Sequence, residues 1–311
     1  MKLGVMFPGQ GSQAVGMLAA IDSPLVARTL DEAGEALGWD VAGLVTNGPE
    51  EQLNRTEFTQ PALLAADIAV WRVLRAERSD PVEVMAGHSL GEFAALVAAD
   101  SIGFADALQL VELRGRLMQG AVPEGQGGMA AVIGLSDDEV TALCAGYDGG
   151  VLEAVNFNAP GQVVVAGESA GLAYLESHGP DAGARLIKRL PVSVPSHCAL
   201  MRGAAEQLGE ALGEVEIRVP AVPVLHNLDA QARDTPEAIR EALHEQLFRP
   251  VRWTASLAGM QQRGVSVLAE CGPGNVLCGL ARRAARGTAT VPLGTADGIG
   301  KLAGMLDGDE A

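Results

Sequence analysis

Residues 87–91 read Gly-His-Ser-Leu-Gly and carry the clearest signal for chemistry in this sequence. The pentapeptide lies between a strand-like run at 82–86 and a helix-like run at 92–99. A serine at the centre of G-x-S-x-G, where a strand turns sharply into a helix, is a nucleophile elbow. Glycine on either side leaves room for the turn, and the first amides of the helix point to where an oxyanion would form. The spacing therefore predicts that Ser89 is a nucleophile for acyl chemistry.

A serine hydroxyl needs a general base within hydrogen-bond reach, and five histidines are available. His88 is adjacent in sequence, but in an elbow its side chain points away from that of Ser89. His197 lies in the loop 194–198, just beyond an inferred insertion, where a returning chain can face a cleft. We therefore expect His197 to be the base.

An acid usually orients such a base, and none stands out here. Asp229 and Glu270 lie at strand ends, but nothing distinguishes either one. An amide oxygen can accept the same ring proton, which makes Gln246 a candidate. Arg114, on the helical run after the elbow, is a solvated or ion-paired residue unless it faces Ser89, in which case it would bind a substrate carboxylate with two hydrogen bonds.

The loop after the first strand contains Gly-Gln-Gly-Ser-Gln-Ala at 9–14, which formally matches the dinucleotide fingerprint. Pro8 interrupts the turn, and residues 23–38 have helical periodicity where a second strand ending in an acid is required. We therefore reject a dinucleotide site. A loop whose backbone amide completes an oxyanion hole is the better interpretation.

The elements that must position these residues alternate between strands and helices. A buried strand at 3–7 precedes helical periodicity at 23–38 and 60–78, and a long helix at 105–119 follows the elbow. Pro61 is predicted to lie in the first turn of the second helix. This alternation predicts a parallel sheet that is covered by helices on both faces.

A different pattern begins after Pro123. A strand-like run at 129–134 precedes a helix that opens with a Ser136–Glu139 capping box. Two strands, a helix and a last strand follow, at 151–156, 162–167, 170–177 and 185–192. The order β-α-β-β-α-β is the ferredoxin-like arrangement. We therefore predict a small subdomain at 125–191, inserted into a large α/β domain.

The large domain is expected to comprise residues 1–124 and 192–311. After the insertion it resumes with a helix, a strand, two helices and a strand, at 200–213, 222–227, 236–247, 253–263 and 265–270. A Gly-Pro-Gly turn at 272–274 then leads into a further helix. The domain thus keeps the alternation of its first part.

The bulk composition excludes several classes of protein. The 311 residues are 48% hydrophobic and 20% charged, which is ordinary for a soluble domain. A net charge of −17 argues against a nucleic-acid partner. The four cysteines lack C-x-x-C spacing and a histidine cluster, so we expect reduced thiols and no metal site. Without a signal peptide or a membrane-length apolar run, a cytoplasmic protein with no membrane contact is expected, and without a hydrophobic excess a monomer.

Eight runs of residues, in order along nearly the whole chain, together resemble the malonyl-CoA:acyl carrier protein transacylases of bacterial fatty-acid synthesis. They are F-P-G-Q-G-S-Q (7–13), G-H-S-L-G-E (87–92), R-G-R-L-M-Q (114–119), V-N-F-N-A-P-G-Q-V-V-V-A-G (155–167), P-V-S-V-P-S-H-C-A-L-M (191–201), N-L-D-A (227–230), Q-L-F-R-P-V-R-W (246–253) and G-P-G-N-V-L (272–277). The resemblance implies a hydrolase-like α/β domain that carries a ferredoxin-like subdomain.

The resemblance also implies a role for each matching residue. Ser89 would carry the acyl group, His197 would be its base, and Gln246 would orient the imidazole through an oxygen. Arg114 would pair with the free malonyl carboxylate. The remaining assignments are oxyanion-hole amides at Gln10 and Leu90 and substrate contacts at His88, Met118 and Asn158. The implied reaction moves malonyl from CoA to the phosphopantetheine thiol of acyl carrier protein, in ping-pong fashion and with no cofactor or metal.

Three alternatives remain open from the sequence. The same nucleophile and arginine suit the malonyl transferase subunit of a malonate decarboxylase system or a trans-acting polyketide acyltransferase. The same serine and histidine would serve a thioesterase or hydrolase that releases malonate to water. A catalytically silent interaction subunit is disfavoured because every chemical group is present.

CoA is anionic and carrier proteins are generally acidic, so a chain with a charge of −17 needs a local basic patch to bind them. The candidates are Lys188 and Arg189 at the subdomain edge, and Arg282, Arg283 and Arg286 near the C-terminal helix. Scattered solvated charges are the alternative interpretation.

Overall fold

A computed structural model of the protein describes residues 1–192 and 194–308, which form two sheets and their covering helices. The strands are β1 (Leu3–Phe7), β2 (Val82–Gly87), β3 (Gly127–Ile133), β4 (Leu152–Ala159), β5 (Gln162–Glu168), β6 (Leu186–Arg189), β7 (Val224–Leu225), β8 (Val267–Glu270) and β9 (Ala289–Pro292). The larger sheet has the order β7-β2-β1-β8-β9, and its strand pairs are parallel. Its central strand β1 is wholly buried, as a continuous apolar run in a doubly covered parallel sheet requires.

The helices lie mostly around this larger sheet. They are α1 (Pro24–Leu37), α2 (Val41–Asn47), α3 (Glu50–Leu53), α4 (Thr56–Glu77), α5 (Gly91–Ala98), α6 (Phe104–Gly120), α7 (Asp137–Ala145), α8 (Ser169–His178), α9 (Arg202–Glu214), α10 (Pro236–Gln246), α11 (Trp253–Gln262), α12 (Val276–Ala284) and α13 (Ala296–Asp307). The main hydrophobic core joins β1 and β2 to α4, α5 and α6. Alanines fill much of this core, so the backbones of these helices pack closely.

The smaller sheet has the order β4-β5-β3-β6, and each neighbouring pair is antiparallel. With α7 and α8 as the crossovers, this is the ferredoxin-like topology. The capping box of α7 forms as predicted, with Ser136 and Glu139 each accepting from the other's backbone amide. The predicted fold class, a hydrolase-like parallel-sheet domain with an inserted ferredoxin-like subdomain, is confirmed. Its exact domain boundaries stay a prediction.

The two sheets are joined through β4. The Phe157 N–H donates to the Val251 carbonyl at 3.0 Å, and the Val251 N–H donates to the Val155 carbonyl at 2.8 Å. Residue 251 lies two residues before the start of α11, which packs on the larger sheet. The small subdomain is therefore anchored beside the carboxyl edge of the parallel sheet.

Some predicted elements differ from the structure. Pro61 is inside α4 and not in its first turn, because the helix begins at Thr56. The polar residues Thr56, Thr59 and Gln60 hid this first turn from the periodicity, although they are buried. Strand β7 is only two residues long because the backbone beyond it turns, with hydrogen bonds from His226 N–H to the Gln231 carbonyl and from Ala230 N–H to the His226 carbonyl. The sequence analysis also did not predict α2, α3, β9 and α13.

Three further findings concern the described part of the chain. Its four cysteines are buried free thiols. Among its residues there is no group of three or more histidines, cysteines and acids that could hold a metal ion. No helix within it has the length and apolar character needed to cross a membrane.

Candidate active site

The chain turns sharply between β2 and α5, and Ser89 lies at this turn. Its φ of +52° is in the left-handed region, which residues with a side chain rarely adopt. A Cβ atom on Gly87 would collide with the backbone of Gly91, and one on Gly91 would collide with the carbonyl of Phe7. The two glycines therefore permit the close approach that makes the elbow.

Asn227, which follows β7, holds the elbow from both sides. Its side-chain oxygen accepts from the Ser89 N–H at 2.7 Å, and its side-chain nitrogen donates to the Gly87 carbonyl at 2.7 Å. The side chain is buried, and its bond to the Gly87 carbonyl is shielded from water. Sequence reasoning assigned Asn227 no role, although it begins the run N-L-D-A.

Ser89 and His197 are brought together across 108 residues of sequence. The Ser89 hydroxyl lies 2.8 Å from Nε2 of the imidazole, and Nδ1 lies 2.7 Å from the main-chain carbonyl of Gln246. The carbonyl can only accept, so Nδ1 carries the proton and Nε2 is free to accept one from the hydroxyl. The orienting oxygen thus comes from Gln246, but from its backbone and not from its side chain.

The imidazole is neutral, as a general base must be before it accepts a proton. Burial, and then the neighbouring Arg114 cation, lower the pKa of His197 to about 3, while the bond to Gln246 opposes the shift. A neutral ring therefore prevails at physiological pH. His197 also has a left-handed φ of +65°, a strained backbone of the kind that clusters at functional sites.

Arg114 of α6 is fully buried, and its guanidinium reaches the nucleophile. It donates to Ser89 Oγ at 3.1 Å, to Gln60 Oε1 at 2.8 Å and to Gln246 Oε1 at 2.9 Å. Burial lowers the pKa of Arg114 to about 10, and the charge of Glu92 opposes this shift. The group thus remains a cation at neutral pH, placed where it can meet a carboxylate carried by an acyl group on Ser89.

A second layer of buried polar groups supports these residues. The Gln246 side-chain nitrogen donates to the Ser89 carbonyl at 3.0 Å and to Glu92 Oε2 at 2.9 Å. Glu92 also accepts from Nδ1 of His226 at 2.7 Å and from the Asn227 amide at 2.8 Å. Sequence reasoning did not single out Gln60, Glu92 or His226. An acid in the first turn of the very apolar helix α5 was the available signal for Glu92.

The loop after β1 lies against the elbow. A Cβ atom on Gly9 would collide with the carbonyl of His88, which shows how closely the two segments approach. The Gln10 side chain meets Gln60 at 3.3 Å. Leu90 is the N-cap residue of α5, so its amide belongs to a helix end that lacks intrahelical acceptors. The assignment of the Gln10 and Leu90 amides to an oxyanion hole stays a prediction.

The other residues predicted to contact the substrate are His88, Asn158 and Met118. Nε2 of His88 lies 2.8 Å from the Asn158 side-chain oxygen, and its ring packs edge-on against Trp253. Burial lowers the pKa of His88, so the ring is neutral. This contact links the elbow to β4 of the small subdomain. Met118 is buried behind Gln60, whose amide approaches its sulfur at 3.5 Å.

The two acids weighed as partners of the base serve elsewhere. Asp229 pairs with Arg233 at 2.7 Å near the surface. Glu270 accepts from the backbone amides of Leu277 and Cys278 at 3.0 and 2.7 Å. Neither hydrogen-bond set includes His197, whose Nδ1 is occupied by the carbonyl described above.

Comparison with known proteins agrees with this geometry. The acyl transferase domain family matches residues 5–301. The malonyl CoA-acyl carrier protein transacylase of Haemophilus influenzae is 52% identical over 286 residues, which are 91% of this chain and 92% of that protein. The transacylase of the same name from Escherichia coli K12 is 50% identical over 281 residues, or 89% of this chain and 91% of that protein.

Solved structures share the whole fold. An acyl carrier protein S-malonyltransferase from Vibrio cholerae has a TM-score of 0.95 and 47% identity, and covers 97% of this chain and 100% of its own. A structure of a type II PKS acyl-carrier protein in complex with its malonyl-transacylase gives a TM-score of 0.96 at 44% identity, with 99% and 100% coverage. These matches confirm the resemblance drawn from the motifs, and the chain belongs to the acyl transferase domain family.

Proposed function

We propose that the protein transfers a malonyl group from malonyl-CoA to the phosphopantetheine thiol of an acyl carrier protein, through a malonyl ester of Ser89. One observation carries the proposal. The Ser89 hydroxyl lies 2.8 Å from the Nε2 atom of a neutral imidazole and 3.1 Å from a buried guanidinium. The first group activates an acyl acceptor, and the second suits an acyl group that ends in a carboxylate. The names of the relatives agree with this function.

In the first half-reaction, Nε2 of His197 takes the Ser89 proton as Oγ attacks the thioester carbonyl carbon. Negative charge develops on the carbonyl oxygen, which the amides of Leu90 and Gln10 are proposed to stabilise. The Gln246 carbonyl stabilises the imidazolium through Nδ1–H. The carbon–sulfur bond then breaks, His197 returns the proton to the CoA sulfur, and Ser89 carries the malonyl ester.

In the second half-reaction, the thiol of the carrier's phosphopantetheine takes the place of CoA. His197 removes the thiol proton, and the sulfur attacks the ester carbon. The carbon–oxygen bond to Ser89 breaks, and His197 returns the proton to Oγ. The enzyme is restored with no net change in protonation, as a ping-pong transfer between two thiols requires.

Arg114 provides a physical basis for substrate choice. A malonyl carboxylate would pair with the guanidinium, whereas an acetyl group would leave a fully buried cation hydrogen-bonded only to neutral oxygens of the described chain. A missing partner for a buried charge costs about 2–4 kcal/mol. The proposal therefore includes a strong preference for malonyl over acetyl.

Intact mass spectrometry after mixing with malonyl-CoA tests the covalent step. The wild-type protein should gain one malonyl group, and the Ser89→Ala variant should gain none. Adding an acyl carrier protein with its phosphopantetheine arm should remove the adduct and malonylate the carrier. An unmodified wild-type protein would falsify the proposal.

A serine hydrolase is the main alternative, because the same serine and histidine would pass the acyl group to water. Free CoA released from malonyl-CoA distinguishes the two activities. Release that needs the carrier protein supports transfer, whereas equally fast release without it supports hydrolysis. A malonate decarboxylase subunit or a polyketide acyltransferase would differ only in which carrier protein accepts the malonyl group.

The carrier protein is proposed to dock on one of the two groups of basic residues that the sequence analysis identified. Arg189 forms a salt bridge with Glu176 at 2.8 Å, so its charge is less available to an acidic carrier protein. Arg282 and Arg283 in the last turn of α12 contact Thr290 and a backbone carbonyl and keep their charges unpaired by acids in the described chain. Charge reversal at Arg282 and Arg283 should raise the KM for the carrier protein. The first half-reaction, in which malonyl-CoA malonylates Ser89, should be unchanged. The same reversal at Lys188 and Arg189 is the comparison.

The proposal also comprises a monomer that acts in the cytoplasm without a cofactor or metal. Its support is the net charge of −17, the four buried free thiols and the small number of exposed large hydrophobic side chains, which are scattered along the described chain. Light scattering on the purified protein tests the monomer directly.

A further inference from the structure

Glu92 is a buried carboxylate that the reaction just described does not use. It lies in the first turn of α5, three residues after the nucleophile, and its side chain is 0% exposed. Burial of an ionised carboxylate is costly unless its oxygens are well hydrogen-bonded. The partners of Glu92 therefore indicate what this charge does.

Each hydrogen-bond partner of Glu92 is a donor. Oε1 meets Nδ1 of His226, and Oε2 meets both the Asn227 backbone amide and the Gln246 side-chain nitrogen. A backbone amide and a side-chain NH₂ can only donate, so Oε2 must accept twice. The ionised carboxylate satisfies the whole set. The helix N-terminus beside it favours the same negative charge.

The bond to Glu92 fixes which way the Gln246 amide faces. Its nitrogen lies between two acceptors, Glu92 Oε2 at 2.9 Å and the Ser89 carbonyl at 3.0 Å. Its oxygen lies 2.9 Å from the Arg114 guanidinium, which can only donate. Rotating the amide by 180° would place its oxygen against the two acceptors and its NH₂ group against the guanidinium donor. Glu92 and Arg114 are thus connected through one neutral amide.

This arrangement keeps the guanidinium free of an internal carboxylate. Its hydrogen bonds within the described chain go to neutral oxygens of Ser89, Gln60 and Gln246, and the Arg114 Nε–H has no partner there. A direct pair between Glu92 and Arg114 would occupy the donors that a substrate carboxylate needs. With the amide between them, the carboxylate supports the cation, and no internal carboxylate competes with that of a substrate for the guanidinium.

We propose that Glu92 is a positioning residue for substrate selection, which holds the Gln246 amide towards Arg114 and balances the guanidinium charge from behind that amide. The inference rests on the proposed function, since it explains how a buried cation is held ready for a malonyl carboxylate. The charge of Glu92 from α5 opposes the shift that burial causes in the pKa of Arg114. The ring of His197 is neutral and meets the same Ser89 hydroxyl as the guanidinium. His226 faces only the far side of Glu92.

The Glu92→Gln variant separates the charge from the contact. The new amide oxygen can still accept from Gln246, and its NH₂ can face His226 if that ring changes tautomer. Malonyl transfer should persist at neutral pH. The charge of Glu92 raises the pKa of Arg114, which is about 10 in the wild type. Its loss should move the alkaline limit of malonyl transfer to lower pH, and the rate should then fall tenfold for each pH unit above the new limit.

Two measurements keep this test specific. Glu112→Gln removes a carboxylate two residues from Arg114 on the same helix, where it accepts from the Trp39 indole instead. That control should keep the wild-type alkaline limit. Acetyl transfer, which needs no guanidinium, should keep its alkaline limit in Glu92→Gln. If both acyl groups lose transfer alike, or if the limit does not move, the role of Glu92 is overturned.

A second variant tests the hydrogen bond between Glu92 and the Gln246 amide. Glu92→Ala removes the acceptor and frees the Gln246 amide to turn, so the malonyl-to-acetyl preference should fall by about tenfold. A folded Glu92→Ala protein with wild-type preference would overturn the inference while wild-type malonyl-Ser89 upholds the proposed function. No malonyl-Ser89 in the wild type would overturn both.

Discussion

Two strand-to-helix turns lie on either side of β1, and they differ in how the N-terminus of the helix is capped. One connects β2 to α5 and the other connects β8 to α12, and both strands pair with β1 in parallel. At the second turn, the Glu270 carboxylate accepts from the first amides of α12. At the first turn, no side chain in the described chain caps α5.

The difference separates a structural helix end from a functional one. A helix N-terminus at the carboxyl edge of a parallel strand is a ready anion site. The α12 site is filled by the protein's own carboxylate, and its positive φ angles fall on glycines, Gly272 at +152° and Gly274 at +80°. In the proposed mechanism the α5 site is left for a reacting oxygen, and its positive φ falls on Ser89, whose side chain that mechanism requires. The functional turn therefore carries strain that the structural turn avoids.

The largest expected effect concerns the cation at the functional turn. Arg114→Ala should lower the malonyl-to-acetyl ratio of kcat/KM by about 30- to 1000-fold, because the carboxylate loses its buried partner. Arg116→Ala, an exposed arginine on the same helix, is the matched control and should leave the ratio unchanged. An unchanged ratio in Arg114→Ala would remove Arg114 from substrate selection.

At the structural turn, the corresponding change should affect stability and not chemistry. Glu270→Ala leaves the buried amides of Leu277 and Cys278 without their acceptor, which should lower the free energy of unfolding by about 2–3 kcal/mol. Urea denaturation measures this loss, and malonylation per folded molecule should match the wild type. A Glu270→Ala protein of normal stability but impaired transfer would reverse the comparison.

Asp67 is a buried acid that packs against the structural turn between β8 and α12. The carboxyl group of Asp67 lies against Gly272, so closely that a Cβ on the glycine would collide with it, and it has no hydrogen-bond partner in the described chain. Burial, and then the charge of Glu270, raises the pKa of Asp67. The folded protein therefore holds a proton that the unfolded chain releases above about pH 4. Stability is then present at low pH and is lost as the pH rises towards the folded-state pKa.

Replacing Asp67 by Asn removes this titration at nearly constant volume. Between the two pKa values, each pH unit costs the wild type about 1.4 kcal/mol that the variant does not lose. Denaturation curves at several pH values from 5 to 8 should show the variant gaining on the wild type as the pH rises. Asp80→Asn is the control, because its bond to Arg78 lowers the pKa of that carboxyl and no gain is expected. Parallel pH curves for Asp67→Asn would contradict this account.

The sequence predicted the turn between β2 and α5 far better than the buried polar residues that hold this turn in place. The elbow and the fold class follow from local spacing, because the G-x-S-x-G turn and the β-α-β-β-α-β order leave few other folds. His197 was chosen among the five histidines from its loop position and from the family resemblance. Glu92 and Asn227 were missed as members of the site. Their roles depend on contacts across about 135 residues, and no local pattern records such pairs.

Gln246 shows the same limit at atomic scale. The sequence indicated an oxygen of this residue for the base, but it could not distinguish the backbone carbonyl from the side-chain amide. The structure uses the carbonyl for His197 and leaves the amide between Glu92 and Arg114. Only the three-dimensional arrangement of donors and acceptors separates the two functions.

The smallest expected effect isolates the backbone strain at Ser89. Ser89→Ala and Ser89→Gly both remove the hydroxyl and its bonds to His197 and Arg114, so neither should form a malonyl ester. They differ in the left-handed φ, which costs alanine about 1 kcal/mol and glycine almost nothing. The glycine variant should therefore be more stable than the alanine variant by about 1 kcal/mol in urea denaturation. At Gly272 the change to alanine should destabilise, because φ is positive and the new Cβ strikes Asp67 and Pro8. Equal stability of the two Ser89 variants would mean that the functional turn stores no strain, and that the two turns differ only in which anion occupies them.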